Sequence, residues 1–291
     1  PKTWPVLLVL CLLISTPRAQ PMELSPWPAV GFVRGVVYSS WDGSYSNRDA
    51  WTRHLAHFQR LGVTWIEILT FAHQPQVKKP RIQLSALTRW PVDFIKAARA
   101  AGFRILLKPH VWSREFYDGS NRWRGSIRME NEADWQTWFR QYEAFILREA
   151  MMAARHKIEM LCIGLEYVEA SKRSADWRRL IGKVRAVYPG LLTYAADGNH
   201  ELGHINFWSD LDVIGVDAYF ELDDPHELFG LKLLWAWLKP LAQLDALAKA
   251  YKKPIIFTEA GYPSVTGGTK RPWQWPSGRE SLDIPGQALG Y

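Results

Sequence analysis

Two glutamates, Glu166 and Glu259, each follow a continuous apolar run, Met160-Leu161-Cys162-Ile163-Gly164-Leu165 directly before the first and Pro254-Ile255-Ile256-Phe257, then Thr258, before the second. Apolar runs of this length bounded by Lys or Gly read as inner strands of a parallel sheet. A carboxylate after such a strand sits at its C-terminal mouth, where barrels of alternating strands and helices collect their chemistry. Two strand-end carboxylates on one barrel are the minimum apparatus for cleaving a glycosidic bond, one as acid/base and one as nucleophile. The competing reading is a pair of surface or ion-paired glutamates, which placement behind buried runs disfavours.

The elements needed to hold such a pair recur along the chain. Strand patterns cover residues 31–38, 63–70, 103–108, 160–165, 191–196, 212–219 and 254–257. Between them lie helical patterns. Ser46 caps a helix over 46–61 with Trp51, Leu55, Phe58 and Leu61 on one face, and Gly62 stops it. Further helices are expected over 91–101 with a stop at Gly102, over 132–155, over 175–188 and over 229–251. The order strand, helix, glycine, strand predicts an α/β protein built as a (β/α)8 TIM barrel. After Tyr262 the chain is rich in Pro, Gly and Trp and shows no eighth strand, so the expected barrel is truncated before its eighth strand.

Length suits one large domain of 291 residues. The net charge of +7 comes from scattered Lys and Arg without a basic block, which argues against nucleic acid as a partner. No Gly-rich phosphate fingerprint follows the first strand, and no cofactor is called for. Residues 1–20 read as a signal peptide: Lys2 precedes an apolar run from Trp4 to Ile14 that is too short to span a bilayer. An N-terminal anchor is the alternative. Residues 21–30 form a Pro-rich lead-in and 31–291 the catalytic domain, its C-terminal unit incomplete. The expected location is secreted or periplasmic, without membrane insertion once the leader is cleaved. With Cys11 in the leader, Cys162 has no intrachain partner.

Sixteen tryptophans call for a reason. Trp fills cores, and its flat face also stacks on sugar rings. Trp135 and Trp138, on the stripe with Phe139, Tyr142, Phe145 and Ile146, read as core. Trp41, Trp112, Trp123, Trp273 and Trp275 fall in loops after strands, where stacking on substrate is open beside packing. His110, just past the third strand, is either a sugar contact or a structural histidine. Asp217 and Tyr219 leave the sixth strand beside the seventh, so the Tyr219 hydroxyl can reach Glu259; a core tyrosine is the other account.

His200-Glu201-Leu202-Gly203-His204 matches the zinc-protease pattern of two His one turn apart with Glu as base. That pattern needs a helix. Asp197-Gly198-Asn199 before it is turn chemistry and Gly203 lies inside it, so the sequence favours a link between strands bordering the cleft.

Taken together, Lys108-Pro109-His110-Val111, Trp123-Arg124-Gly125, Cys162-Ile163-Gly164-Leu165-Glu166, Asp217-Ala218-Tyr219-Phe220 and Phe257-Thr258-Glu259-Ala260-Gly261-Tyr262 resemble glycoside hydrolase family 113. That family comprises retaining β-mannanases within the (β/α)8 glycosidases that carry glutamates on strands four and seven. The resemblance runs from about Gly31 to the end of the chain. It implies Glu166 as acid/base, Glu259 as nucleophile, and a β-linked mannan or mannooligosaccharide as substrate. Two positions depart from the pattern: Leu165 replaces the Asn that many members of the superfamily place before the acid/base, and the eighth strand with its aromatic floor is missing. A non-catalytic carbohydrate-binding barrel is the alternative class.

Overall fold

The computed structural model describes residues 32–39, 44–84 and 90–291. Trp41 and the proposed leader lie outside the described residues. Seven parallel strands run in the order β1 (Gly35–Tyr38), β2 (Trp65–His73), β4 (Arg104–Trp112), β5 (Met160–Leu165), β6 (Leu191–Asp197), β7 (Ile214–Asp217) and β8 (Ile255–Glu259). The short β3 (Gln83–Leu84), which the sequence does not announce, pairs antiparallel with the end of β2. Every neighbour in this order is also the next parallel strand along the chain, as right-handed β-α-β crossovers require.

Helices α1 (Arg48–Arg60), α2 (Val92–Ala100), α3 (Glu132–Arg155), α4 (Ser174–Arg185) and α5 (Leu231–Tyr251) occupy the crossovers. The cap of α1 is Asn47 and not Ser46, because the Asn47 side chain accepts from the Ala50 N–H. The link from β6 to β7 has only a 3-10 turn, Trp208–Asp210. After β8 the described chain holds an isolated bridge between Val265 and Leu282 and then α6 (Ile284–Gly290), which the sequence pattern does not reveal. Among the described residues no strand follows β8 and no pairing joins β8 to β1.

The sheet is nonetheless rolled into a barrel. Lys108 on β4, third in the order, reaches Asp217 on β7 and Glu259 on β8, sixth and seventh, through the interior. Behind β5 and β6 lies an aromatic block. Trp138 and Tyr142 of α3 stack at 4.7 Å, and Tyr167, Trp177 of α4, Tyr194 and Phe207 complete it edge to face. Trp138, Trp177 and Trp208 are fully buried, so part of the tryptophan content is core. Gly164 admits this block: a Cβ there would stand 2.5 Å from the Trp177 ring. Among the described residues no helix is long and apolar enough to cross a membrane.

Candidate active site

Glu166 follows β5 directly and Glu259 is the last residue of β8, so both carboxyls sit at the strand mouths the sequence assigns them. Glu166 adopts φ +51, a left-handed backbone uncommon for any residue but Gly, at a cost of about 1–3 kcal/mol. Its N–H still donates to the Ala195 carbonyl at 2.9 Å, so β6 pairing is kept while the side chain is redirected. Arg124, in the 3-10 turn Arg124–Ser126, donates twice to one oxygen: Nε at 3.0 Å and Nη2 at 2.6 Å from Glu166 Oε2. Oε1 has no hydrogen-bond partner among the described residues.

Glu259 is held differently. Lys108 Nζ lies 2.5 Å from its Oε1, and the Tyr219 hydroxyl donates to its Oε2 at 2.9 Å. Lys108 is fully buried and also donates to Asp217 Oδ1 at 2.8 Å, with Glu67 Oε1 3.6 Å away. Thr258 donates to the same Asp217 oxygen at 2.7 Å, leaving Asp217 Oδ2 unpaired.

One interior cation therefore faces three carboxyls, and burial sorts them. Burial pushes Glu67 up to about 8, against the pull of Lys108. Burial and the charge of Glu259 hold Asp217 well above the ordinary carboxylate range. Burial also raises Glu259, but Lys108 and Arg124 together with two hydrogen bonds outweigh it and carry Glu259 below that range. Glu166 moves the other way: burial raises it, Arg124 opposes, and the Glu259 charge adds to the rise. Of the two strand-end glutamates, one is kept ionised and the other inclined to keep a proton.

His110 lies within β4, not past its end, because that strand extends to Trp112. Its buried ring meets Phe71 edge to face, and neither ring nitrogen has a hydrogen-bond partner among the described residues. Burial, with Arg124 and Lys108 nearby, keeps the imidazole neutral. Trp123 caps the Arg124 turn and is partly exposed, its ring 5.7 Å from that of His200. Trp273 stands half-exposed in the turns after β8. Leu165 is fully buried, so the position before Glu166 presents no group to a sugar hydroxyl.

The segment His200 to His204 is a run of turns and not a helix. His200 pairs with Asp197, His204 meets the Ser171 hydroxyl, and Glu201 points into the core toward Tyr194. The two histidines thus serve separate partners, and the protease geometry is not formed.

Sequence reasoning left Lys108, Glu67 and Arg124 without roles. The first two carried a signal: each is a charge inside an otherwise apolar strand, Ile105-Leu106-Leu107-Lys108 and Trp65-Ile66-Glu67-Ile68, and a buried charge demands a partner. Arg124 had no comparable local mark, since only the folded loop brings it to Glu166.

A rolled parallel sheet wrapped by helices, with its ionisable groups at the strand mouths, defines a (β/α)8-barrel enzyme. Residues 36–289 match the model of Glycoside Hydrolase Family 113, and the chain belongs to that family. It is a glycoside hydrolase. Among solved structures it is similar to the family 113 β-mannanase AaManA from Alicyclobacillus acidocaldarius in complex with ManMIm, at 27% identity and TM-score 0.77, over 90% of this chain and 81% of that one. A second family 113 β-1,4-mannanase, also solved as a complex, aligns at 26% identity and TM-score 0.75, over 89% of this chain and 82% of that one. A β-glucuronidase from Ruminococcus gnavus, at 11% identity and TM-score 0.57 over 88% of this chain and 38% of that one, shares the fold. No curated protein matched the sequence.

Proposed function

We propose that this chain hydrolyses β-1,4-mannan or mannooligosaccharides with retention of configuration, Glu259 acting as nucleophile and Glu166 as acid/base. The observation that carries the assignment is the asymmetry around Lys108: of the three carboxyls facing it, Glu259 alone is drawn below its ordinary range. An ionised carboxylate is what attack on an anomeric carbon requires.

In the first step Glu259 attacks the anomeric carbon while Glu166 delivers a proton to the departing oxygen. Glu166 Oε1, free of Arg124, is the oxygen suited to carry that proton. As the Glu259 charge is consumed in the ester bond, one of the influences raising Glu166 disappears. Glu166, now ionised and paired with Arg124, can take a proton from water, whose oxygen then attacks the anomeric carbon and releases Glu259 as a carboxylate. Arg124 thus favours the form of Glu166 needed in the second step, and burial the form needed in the first.

The unpaired nitrogens of His110 support a role in holding a sugar hydroxyl, since a buried ring left without partners is costly. Trp123, beside Arg124 and partly exposed, offers a face for sugar stacking. Trp41, from its place in the sequence after the first strand, and Trp273, half-exposed in the turns after β8, are proposed as further substrate contacts. Mannan is favoured over other β-glycans by the two family 113 mannanases the fold resembles. Residues 31–291 form the catalytic domain in this reading, and export rests on the apolar segment near the N-terminus. The test is hydrolysis of a panel of β-linked glycans, with the anomeric form of the first product followed by NMR. Release of β-product from mannan supports the proposal. Initial release of α-product, or cleavage of other glycans but not mannan, contradicts it.

A further inference from the structure

We propose that Glu201 and Tyr194 are positioning residues for Glu166: by accepting the Tyr194 hydroxyl proton, Glu201 leaves the Tyr194 oxygen to accept the Tyr167 N–H, fixing the peptide that follows Glu166. The inference rests on the reading of Glu166 as acid/base. It also gives the Glu of the His200 to His204 segment a task other than metal chemistry.

The links are short and buried. Tyr194 donates to Glu201 Oε1 at 2.8 Å, and the Tyr167 N–H donates to the Tyr194 oxygen at 2.9 Å. Both Tyr194 and Glu201 are fully buried. The Tyr167 N–H can only donate, so the Tyr194 oxygen accepts it and the one phenol proton is left for Glu201 Oε1, which accepts as a carboxylate and, burial having pushed Glu201 up to about 8, as the carbonyl oxygen of the neutral acid too. The second Glu201 oxygen accepts the Asp197 N–H at 2.7 Å, which ties the carboxyl to the end of β6. Two further bonds bracket the same stretch: Glu166 N–H to the Ala195 carbonyl at 2.9 Å, and Val111 N–H to the Tyr167 hydroxyl at 3.3 Å.

These bonds act where the backbone has least reason to stay. Glu166 sits at φ +51, a conformation that persists only when its surroundings over-determine it. Relaxing φ would re-aim the carboxyl that Arg124 now holds. The aromatic packing around Tyr194 fixes where its hydroxyl stands: Trp177 and Phe207 meet its ring edge to face at 5.2 and 5.5 Å. Glu201 then sets which way the hydroxyl points.

The experiment compares Tyr194→Phe and Glu201→Gln with the wild type and with Glu166→Ala. Each is measured on a mannooligosaccharide, whose leaving oxygen needs a proton, and by the burst of dinitrophenol from an activated aryl β-mannoside, whose leaving group needs none. Glu166→Ala is expected to lose the first reaction and keep the burst. Tyr194→Phe is expected to lose roughly tenfold in kcat on the oligosaccharide, part of the 10²–10⁴ that proton transfer contributes, with KM unchanged and the burst rate kept. Glu201→Gln retains an acceptor for Tyr194 but opposes the Asp197 N–H, so the same selective loss is expected at smaller size. It carries the test should Tyr194→Phe not fold. Equal slowing of both reactions, or of neither, in a folded variant overturns the inference while the role of Glu166 stands. If Glu166→Ala itself slows both reactions alike, the acid/base reading fails and this inference with it.

Discussion

Lys108 Nζ lies 2.5 Å from Glu259 Oε1, joining the third and seventh parallel strands through the barrel interior. That contact helps sort the carboxyls of a crowded interior. Burial raises Glu67 and Asp217, whereas the charges of Lys108 and Arg124 with two hydrogen bonds draw Glu259 down. Replacing Lys108 by Met should raise the Glu259 pKa, because it removes the largest opposite charge holding the carboxyl down. The acid limb of the kcat/KM profile should move up accordingly. An acid limb that stays in place would show that Lys108 does not govern the nucleophile.

Arg124, whose charge also helps hold Glu259 down, is hydrogen-bonded to the other carboxyl, and there the sign reverses. Arg124→Leu removes a charge that favours ionised Glu166, so the Glu166 pKa should rise further. Since the acid must be protonated to work, the alkaline limb of kcat/KM should extend to higher pH. The deglycosylation step, which needs Glu166 as base, should slow at neutral pH. An alkaline limb shifted downward would contradict the pairing seen here.

Trp123 is tested by two variants with one expected effect. Trp123→Ala should weaken oligosaccharide binding by about 0.5–1.5 kcal/mol beyond lost contact area. Gly125→Ala leaves the indole present but places a Cβ 2.4 Å from its ring, so the ring must move. Both should raise KM. Unchanged affinity in a folded Trp123→Ala protein would remove Trp123 from the substrate site.

Stability should depend on pH through Glu67. Its folded pKa of about 8 lies above the value of 4.5 expected when unfolded, so the folded chain keeps a proton that the unfolded chain releases. The unfolded state then binds fewer protons between those values, and stability falls as pH rises from about 5 to about 8. Glu67→Gln keeps the shape and removes the titration. Thermal unfolding of the variant should decline less over that range; parallel curves for the two proteins would contradict the account.

Much of this architecture is written in the sequence because buried parallel strands leave uninterrupted apolar runs. Met160–Leu165 and the run into Glu259 are such cases, and the proposed catalytic pair follows from where they end. Residues 132–155 are helical as their pattern predicts, with a partner-filled aromatic stripe. The extension of β4 to Trp112 is less legible, since Lys108, Pro109 and His110 interrupt the apolar signal. Their polarity belongs to the barrel interior and not to a loop. The brief β3 has no pattern of its own, being defined by its pairing with β2. Arg124 and Glu201 show the firmer limit: Arg124 meets Glu166 only through a tertiary contact, and Glu201 turns back onto Tyr194 and Asp197 while its local motif points to different chemistry.

The most direct test of the central claim is the mass of the protein after exposure to a 2-fluoro-β-mannosyl donor with an activated leaving group, with the modified peptide then located by fragmentation. Fluorine at C2 slows the second step, and activation removes the need for an acid, so the covalent intermediate accumulates. The account predicts one added glycosyl group per chain, on Glu259, in both wild type and Glu166→Ala, and none in Glu259→Ala. A protein that turns over mannan yet gains no adduct, or gains it on a residue other than Glu259, would contradict it.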